Sequence, residues 1–148
     1  GLEPPKGKTW KEIFLDEVKE KVDTSRIHFL GIVDYETLIS VFQLTSVHVY
    51  LTYPFVLSWS MLEAMSCGAV VVGSDTDPVK EVIKNNKNGI TFDFFDTKAL
   101  ADTVNKILKN PKKYENIASE ARNTIIKNYD IENVCLPKQI KLVKKMIG

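Results

Sequence analysis

The sequence predicts an α/β fold, a parallel sheet with helices on both faces. Short apolar, β-rich runs alternate with segments whose apolar residues recur every three or four positions, and strands separated by helices join through right-handed crossovers into a parallel sheet. Two of the runs, VHVYLTY at 47–53 and AVVVGSD at 69–75, are apolar without alternation, the pattern of strands covered on both faces. A length of 148 residues, with 44% hydrophobic and 26% charged side chains, fits one domain over residues 1–148 with one core.

The elements follow in order. GLEPPKGK is a polar, Pro- and Gly-rich loop. Thr9 then opens a helix with Glu12 three residues on, a capping box, and Trp10, Ile13, Phe14 and Val18 form its apolar face. RIHFLGIV, from Arg26, reads as a first strand ending at Gly31. Asp34 caps a helix whose face is Leu38, Val41 and Phe42. SVHVYLTY and AVVVGSD are the second and third strands, the latter with Gly73 and Ser74 at its end. Asp77 and Pro78 suit the N-cap and first turn of a helix through Ile83. KNNKNG is a turn and GITFDFF a fourth strand. Beyond it the chain is helical: Leu100, Val104, Ile107 and Leu108 share a face, as do Tyr114, Ile117, Ala118, Ala121 and Ile125, and then Ile140, Val143 and Ile147.

Composition excludes several function classes. A formal net charge of +1 offers no electrostatic footprint for nucleic acid. Cys67 and Cys135 are far apart, and with His28 and His48 they supply no metal-ligand set; two reduced thiols suit a cytoplasmic protein. No apolar run approaches the ~20 residues that span a bilayer. The chain opens at Gly1 without a Met, so a leader could lie upstream.

In an open parallel sheet ligands bind beyond the carboxyl ends of the strands, which directs attention to Gly31–Tyr35, Tyr53–Ser60 and Ser74–Pro78. The segment FVLSWSMLEAMSCG, Phe55–Gly68, is the most informative. A helix beginning near Val56–Ser60 exposes unpaired backbone N–H groups and the positive end of its dipole, a ready diphosphate site. Ser58 and Ser60 add hydroxyls, and Glu63, one turn inside, could accept both hydroxyls of a ribose. A second account needs no ligand: Ser60 and Glu63 fit a capping box, Leu62, Ala64 and Met65 can be core, and Cys67–Gly68 a helix end.

FLGIV, LTYPFVLSWSMLEAMSCGAVVVGSDTDPVKEVI and NGITFD together resemble the carboxy-terminal domain of family 4 retaining glycosyltransferases, from Arg26 to about Tyr129. The resemblance implies the Rossmann-like, donor-binding half of a GT-B fold, truncated at its N-terminal side. It gives Glu63 the role of the second of two paired glutamates, holding the donor ribose. Ser58, Trp59 and Ser60 fall where backbone N–H groups meet the donor diphosphate, and the loop from Gly31 through Ile32, Val33 and Tyr35 matches the wall beside the base. The substrate would be a nucleotide-diphosphate sugar, transferred with retention and without a bound metal or other cofactor.

The chain departs from the family pattern in altered motifs and in truncation. The first glutamate of the pair lies eight residues before the second, where this chain has Phe55, and no acid occurs from Leu51 to Leu62. An apolar Phe55 cannot contact a sugar as a carboxylate does, so either the sugar is held through the backbone of the turn that includes Leu57, as in a variant subgroup, or the site is impaired. The family's Gly-rich loop reads Asp75–Thr76–Asp77 here. The amino-terminal acceptor domain and a basic Arg…Lys pair are also absent; Lys6 and Lys8 belong to a solvated loop. The expectation is a fragment of a two-domain enzyme that lacks turnover alone, with no catalytic residue assignable. A non-catalytic module binding nucleotide or a protein partner is the competing class. The lysines of 106–113 and 138–145 read as a solvated face, or as a membrane-surface patch suited to a lipid-linked acceptor.

Overall fold

The computed structural model describes residues 3–53 and 55–147. The chain, expected to be one domain, divides into two compact units, Gly1–Val33 and Asp34–Gly148.

In the first unit helix α1, Trp10–Val18, starts at the expected capping box: the Thr9 N–H donates to Glu12 Oε2 at 2.7 Å and the Glu12 N–H to Thr9 Oγ1 at 3.2 Å. Trp10 and Phe14 stack along its apolar face with centroids 5.8 Å apart. The strand expected at Arg26–Val33 is absent. Thr24–Arg26 is a 3-10 turn, and Ile27–Val33 has no regular structure. A β-rich run becomes a strand only when a neighbour completes its hydrogen-bond ladder, and among the described residues none does so. Phe29, Leu30 and Ile32 stay exposed, while the Lys11 ammonium lies 4.3 Å over the Phe29 ring.

The second unit opens with α2, Tyr35–Leu44, capped as expected by Asp34, whose carboxylate accepts the Thr37 N–H at 2.8 Å. Strands β1 (Val47–Tyr50), β2 (Val70–Ser74) and β3 (Ile90–Phe92) form a parallel sheet in that order. Val47 pairs with Val70, Tyr50 with Gly73, and Ser74 with Phe92. Helices α3 (Trp59–Ser66) and α4 (Asp77–Val82) are the crossovers, and α5 (Thr97–Lys109), α6 (Glu115–Tyr129) and α7 (Leu136–Met146) follow.

The five residues of β2 are all buried, and their alternation divides the core. Val71 packs with Phe42, Met61, Ala64, Met65, Val79, Ile83 and Ala121 on one face. Val70 and Val72 pack with Ile90, Phe92 and Ile107 on the other. Helices therefore cover both faces, as predicted. The strands are shorter than the apolar runs because polar side chains end the ladders: the Thr52 N–H donates to Ser74 Oγ at 2.8 Å and the Phe95 N–H to Asp93 Oδ1 at 2.8 Å. Helix α4 also starts one residue early. Its N-cap is Thr76 and not Asp77, with no side-chain cap bond.

The 84–89 turn is fastened by Asn88, buried, whose Nδ2 donates to the Val82 carbonyl and to Thr124 Oγ1, each at 3.0 Å, and whose Oδ1 accepts the Lys84 N–H at 2.7 Å. Beside it, a Cβ on Gly89 would meet Ile83 Cγ2 at 2.9 Å and Cδ1 at 3.0 Å. Ile83 is itself fully packed and cannot yield. Gly89→Ala is expected to destabilise the fold by about 1–3 kcal/mol through overpacking, read as a lower urea midpoint.

Candidate functional site

The turn between β1 and α3 is tied down at both ends. Leaving β1, Thr52 is buried and donates to Ser74 Oγ, which itself donates to the Tyr50 carbonyl at 3.4 Å. Entering α3, the Ser58 N–H donates to the hydroxyl of Tyr50 at 2.8 Å, and the Tyr50 ring lies in the core. Two residues of β1 and β2 thus set where the helix begins.

Ser58 is the N-cap of α3, extended at φ −88°, ψ 148°. Its Oγ accepts the Ser60 N–H at 3.4 Å and shares a hydrogen bond with Ser60 Oγ at 3.2 Å. A first helical turn leaves N–H groups without intrahelical acceptors; here they belong to Trp59, Ser60 and Met61. Met61, Ala64 and Met65 face inward and are fully buried, whereas Trp59 is 81% exposed. The other end of the helix is closed by the Arg122 guanidinium on the Ser66 carbonyl and by Gly68 at φ +80°, a left-handed position that favours glycine.

With Ser58 as N-cap, Ser60 is already helical and Glu63 lies beyond the third helical position, so these two do not form a capping box. The Glu63 carbonyl accepts the Cys67 N–H and the Ser66 hydroxyl. As a residue Glu63 is half-buried, and its carboxylate has no hydrogen-bond or ion-pair partner among the described residues. The helix does not need this acid for its own termini.

Ser58, Trp59, Ser60 and Glu63 therefore come together on one helix. Leu57 packs its side chain against the core, leaving its backbone to the turn. Phe55 is 73% exposed on the same turn. Gly31, Ile32 and Val33 lie in the first unit, with Gly31 at φ +67° and Ile32 fully exposed. Tyr35 begins α2 and is exposed. His48 is half-buried on β1 and meets the Phe42 ring edge-on, centroids 5.3 Å apart. Its Nε2 has no partner among the described residues, and burial lowers its pKa.

The structure adds Asp93, Phe94 and Phe95, which sequence reasoning missed. Beyond the ends of all three strands they join Tyr53 and Asp75, both in loops the sequence pointed to, to line a cleft of about 320 Å3. Tyr53 stacks on Phe94 at 5.3 Å, and Phe95 meets Tyr53 at 5.0 Å and Phe94 at 5.1 Å, both edge-on. Asp75 pairs with Lys80 at 3.1 Å, and Asp77 approaches Lys80 at 3.5 Å; the bond to Asp75 holds the lysine above its usual range. The signal was present in TFDFFD, where Asp93 two residues before Phe95 is an Asx turn that stops the strand.

A Rossmann-like α/β half is the class that this sheet and its helices define. A profile of the family Glycosyl transferases group 1 matches residues 7–124, and the chain belongs to that family, with the fold of its carboxy-terminal GT-B half. It is 27% identical over 121 residues to an uncharacterized glycosyltransferase of Methanocaldococcus jannaschii, covering 81% of this chain and 30% of that protein. It is also 27% identical over 128 residues to the N,N'-diacetylbacillosaminyl-diphospho-undecaprenol alpha-1,3-N-acetylgalactosaminyltransferase of Campylobacter jejuni, covering 86% of this chain and 33% of that one. The chain thus spans about a third of the length of these curated relatives. Among solved structures, Anabaena HepE in complex with UDP-glucose superposes with a TM-score of 0.81 at 18% identity, over 91% of this chain and 37% of its own. The C-terminal domain of the Francisella tularensis group 1 protein LpcC superposes at 0.77 and 20% identity, over 87% of this chain and 67% of its own.

Proposed function

We propose that this chain is the donor-binding domain of a glycosyltransferase that takes a nucleotide-diphosphate sugar and transfers the sugar with retention. The observation that carries the proposal is Glu63: a carboxylate without a partner among the described residues, one turn inside a helix whose first N–H groups have no intrahelical acceptors. A carboxylate so placed lacks only hydroxyl donors, and two ribose hydroxyls would satisfy it. The first turn of α3 would take the diphosphate on the Trp59 N–H and the hydroxyls of Ser58 and Ser60, the Ser58 N–H being held by the Tyr50 hydroxyl, where the helix dipole favours negative charge. Family membership and the HepE complex with UDP-glucose support the same ligand class. The acceptor-binding half would lie outside residues 1–148, and these residues alone would bind the donor without turning it over. Titration of the full-length protein and of Glu63→Ala with nucleoside diphosphates tests the proposal. Phe55 favours the competing class, a non-catalytic module, for which binding would occur with no transfer by the full-length protein.

A second feature bears on the acceptor. Helix α7 packs chiefly against the π-helical turn Ile131–Cys135. Leu136, Ile140, Leu142, Val143 and Met146 are all exposed along one side of it, and Lys138, Lys141, Lys144 and Lys145 occupy the other. No acid follows Glu132. We propose that this helix lies on an anionic lipid surface, next to a lipid-linked acceptor. Among the described residues no helix is long and apolar enough to cross a membrane. The protein is expected to sediment with phosphatidylcholine–phosphatidylglycerol vesicles and not with phosphatidylcholine alone. Replacing Lys141 and Lys144 by Ala should weaken that binding roughly 30-fold, at about 1 kcal/mol for each Lys near the surface. Equal binding to neutral vesicles, or none to either, would refute it.

A further inference from the structure

We infer that the cleft of Tyr53, Asp75, Asp93, Phe94 and Phe95 is a pyranose site that holds the sugar of the donor; the inference rests on reading the chain as a donor-binding domain. Its place is the first argument. Every strand of the sheet contributes at its carboxyl end: Tyr53 just past β1, Asp75 directly after β2, and Asp93 to Phe95 directly after β3. This is the edge where such sheets take ligands. Tyr53 stands on the same turn as Ser58, so a donor with its diphosphate on the α3 N-terminus can run its sugar along this edge.

The chemistry is the second argument. A pyranose has an apolar face of C–H groups and a rim of hydroxyls. Three aromatic rings in mutual contact offer a platform for the face, and two carboxylates offer acceptors for the rim. Packing does not account for the rings: Tyr53 is 56% and Phe95 69% exposed, although their contacts with each other and with Phe94 hold them in place. Asp93 is oriented by the Phe95 N–H on its Oδ1 and Asp75 by Lys80. The volume, about 320 Å3, falls at the lower end of small-molecule sites, about 300–1,000 Å3, in keeping with a single ring. The placement also accounts for Phe55. The acids missing from Leu51–Leu62 stand at the ends of the two neighbouring strands.

Two measurements on the full-length protein test it. Saturation-transfer NMR with methyl glycopyranosides reads the cleft without any nucleotide. The ring C–H protons of at least one glycoside are expected to receive saturation, the signal falling fivefold or more in Tyr53→Ala and in Asp93→Asn, while Tyr53→Phe, which keeps the ring, retains it. Calorimetry then compares nucleoside diphosphates with their sugar conjugates. The conjugate should bind more tightly than the bare diphosphate in the parent, with the increment lost in Asp93→Asn. Saturation that survives Tyr53→Ala and Asp93→Asn, or that is absent from the parent while conjugates bind no tighter than diphosphates, would overturn the site. Diphosphates failing to bind the parent would instead sink the donor reading, whatever the glycosides do.

Discussion

Glu63→Ala is expected to weaken nucleoside diphosphate binding to the full-length protein by about 10- to 100-fold, since a hydrogen bond to a charged group contributes about 1.5–3 kcal/mol. The change should leave the fold intact. The carboxylate has no partner among the described residues and caps neither end of α3, and alanine favours a helix at least as well as glutamate. Calorimetric titration of both proteins, beside their urea midpoints, separates binding from stability. Glu63→Gln keeps the shape and loses the charge, so it should fall between the two. A nucleotide lacking the 2′-hydroxyl should bind the parent less tightly and lose less when Glu63 is replaced, because one of the two proposed hydrogen bonds is already gone. If Glu63→Ala binds as well as the parent, the ribose role fails.

Met65→Ala is expected to cost about 2–5 kcal/mol of folding stability. Met65 is fully buried beside Met61 and Ala64 on the inner side of α3, against Val71 of β2. Truncation removes its transfer free energy and leaves a cavity that neighbouring side chains fill only in part. Domains are stable by about 5–15 kcal/mol, so a large share would be lost. The urea midpoint should fall with an unchanged slope. Diphosphate affinity per folded molecule should change little, so ligand in excess should recover part of the midpoint by mass action. A midpoint within ~0.5 kcal/mol of the parent would mean that α3 repacks, contrary to its depth in the core.

These contrasts follow what could and could not be read from the chain alone. The parallel sheet, the two covered faces and the caps at Thr9 and Asp34 were legible, because they rest on local chemistry and on the continuous apolar runs around His48 and Val71. Arg26–Val33 was not, because strand formation depends on a neighbour that composition cannot reveal. The short strands followed from hydrogen bonds between distant residues, Thr52 with Ser74 above all. At the site, a helix start within Tyr53–Ser60 was visible, yet fixing it at Ser58, and with it the choice between a capping box and a ligand carboxylate for Glu63, needed the frame of the helix. Asp93 to Phe95 escaped notice because their side chains look like strand residues until the Asx turn is seen.

The hydrogen bonds from Thr52 to Ser74 and from Ser58 to Tyr50 also govern when the site comes into being. Thr52 and Ser74 lie 22 residues apart, and they meet only after the β1–α3–β2 crossover has closed, a non-local step that is slow compared with forming a helix. A nascent α3 can therefore coil before the Ser58 turn has its anchors. Competence to hold a diphosphate arrives with the pairing of the two strands, and protection of the Thr52 and Ser58 amides from deuterium exchange marks that moment.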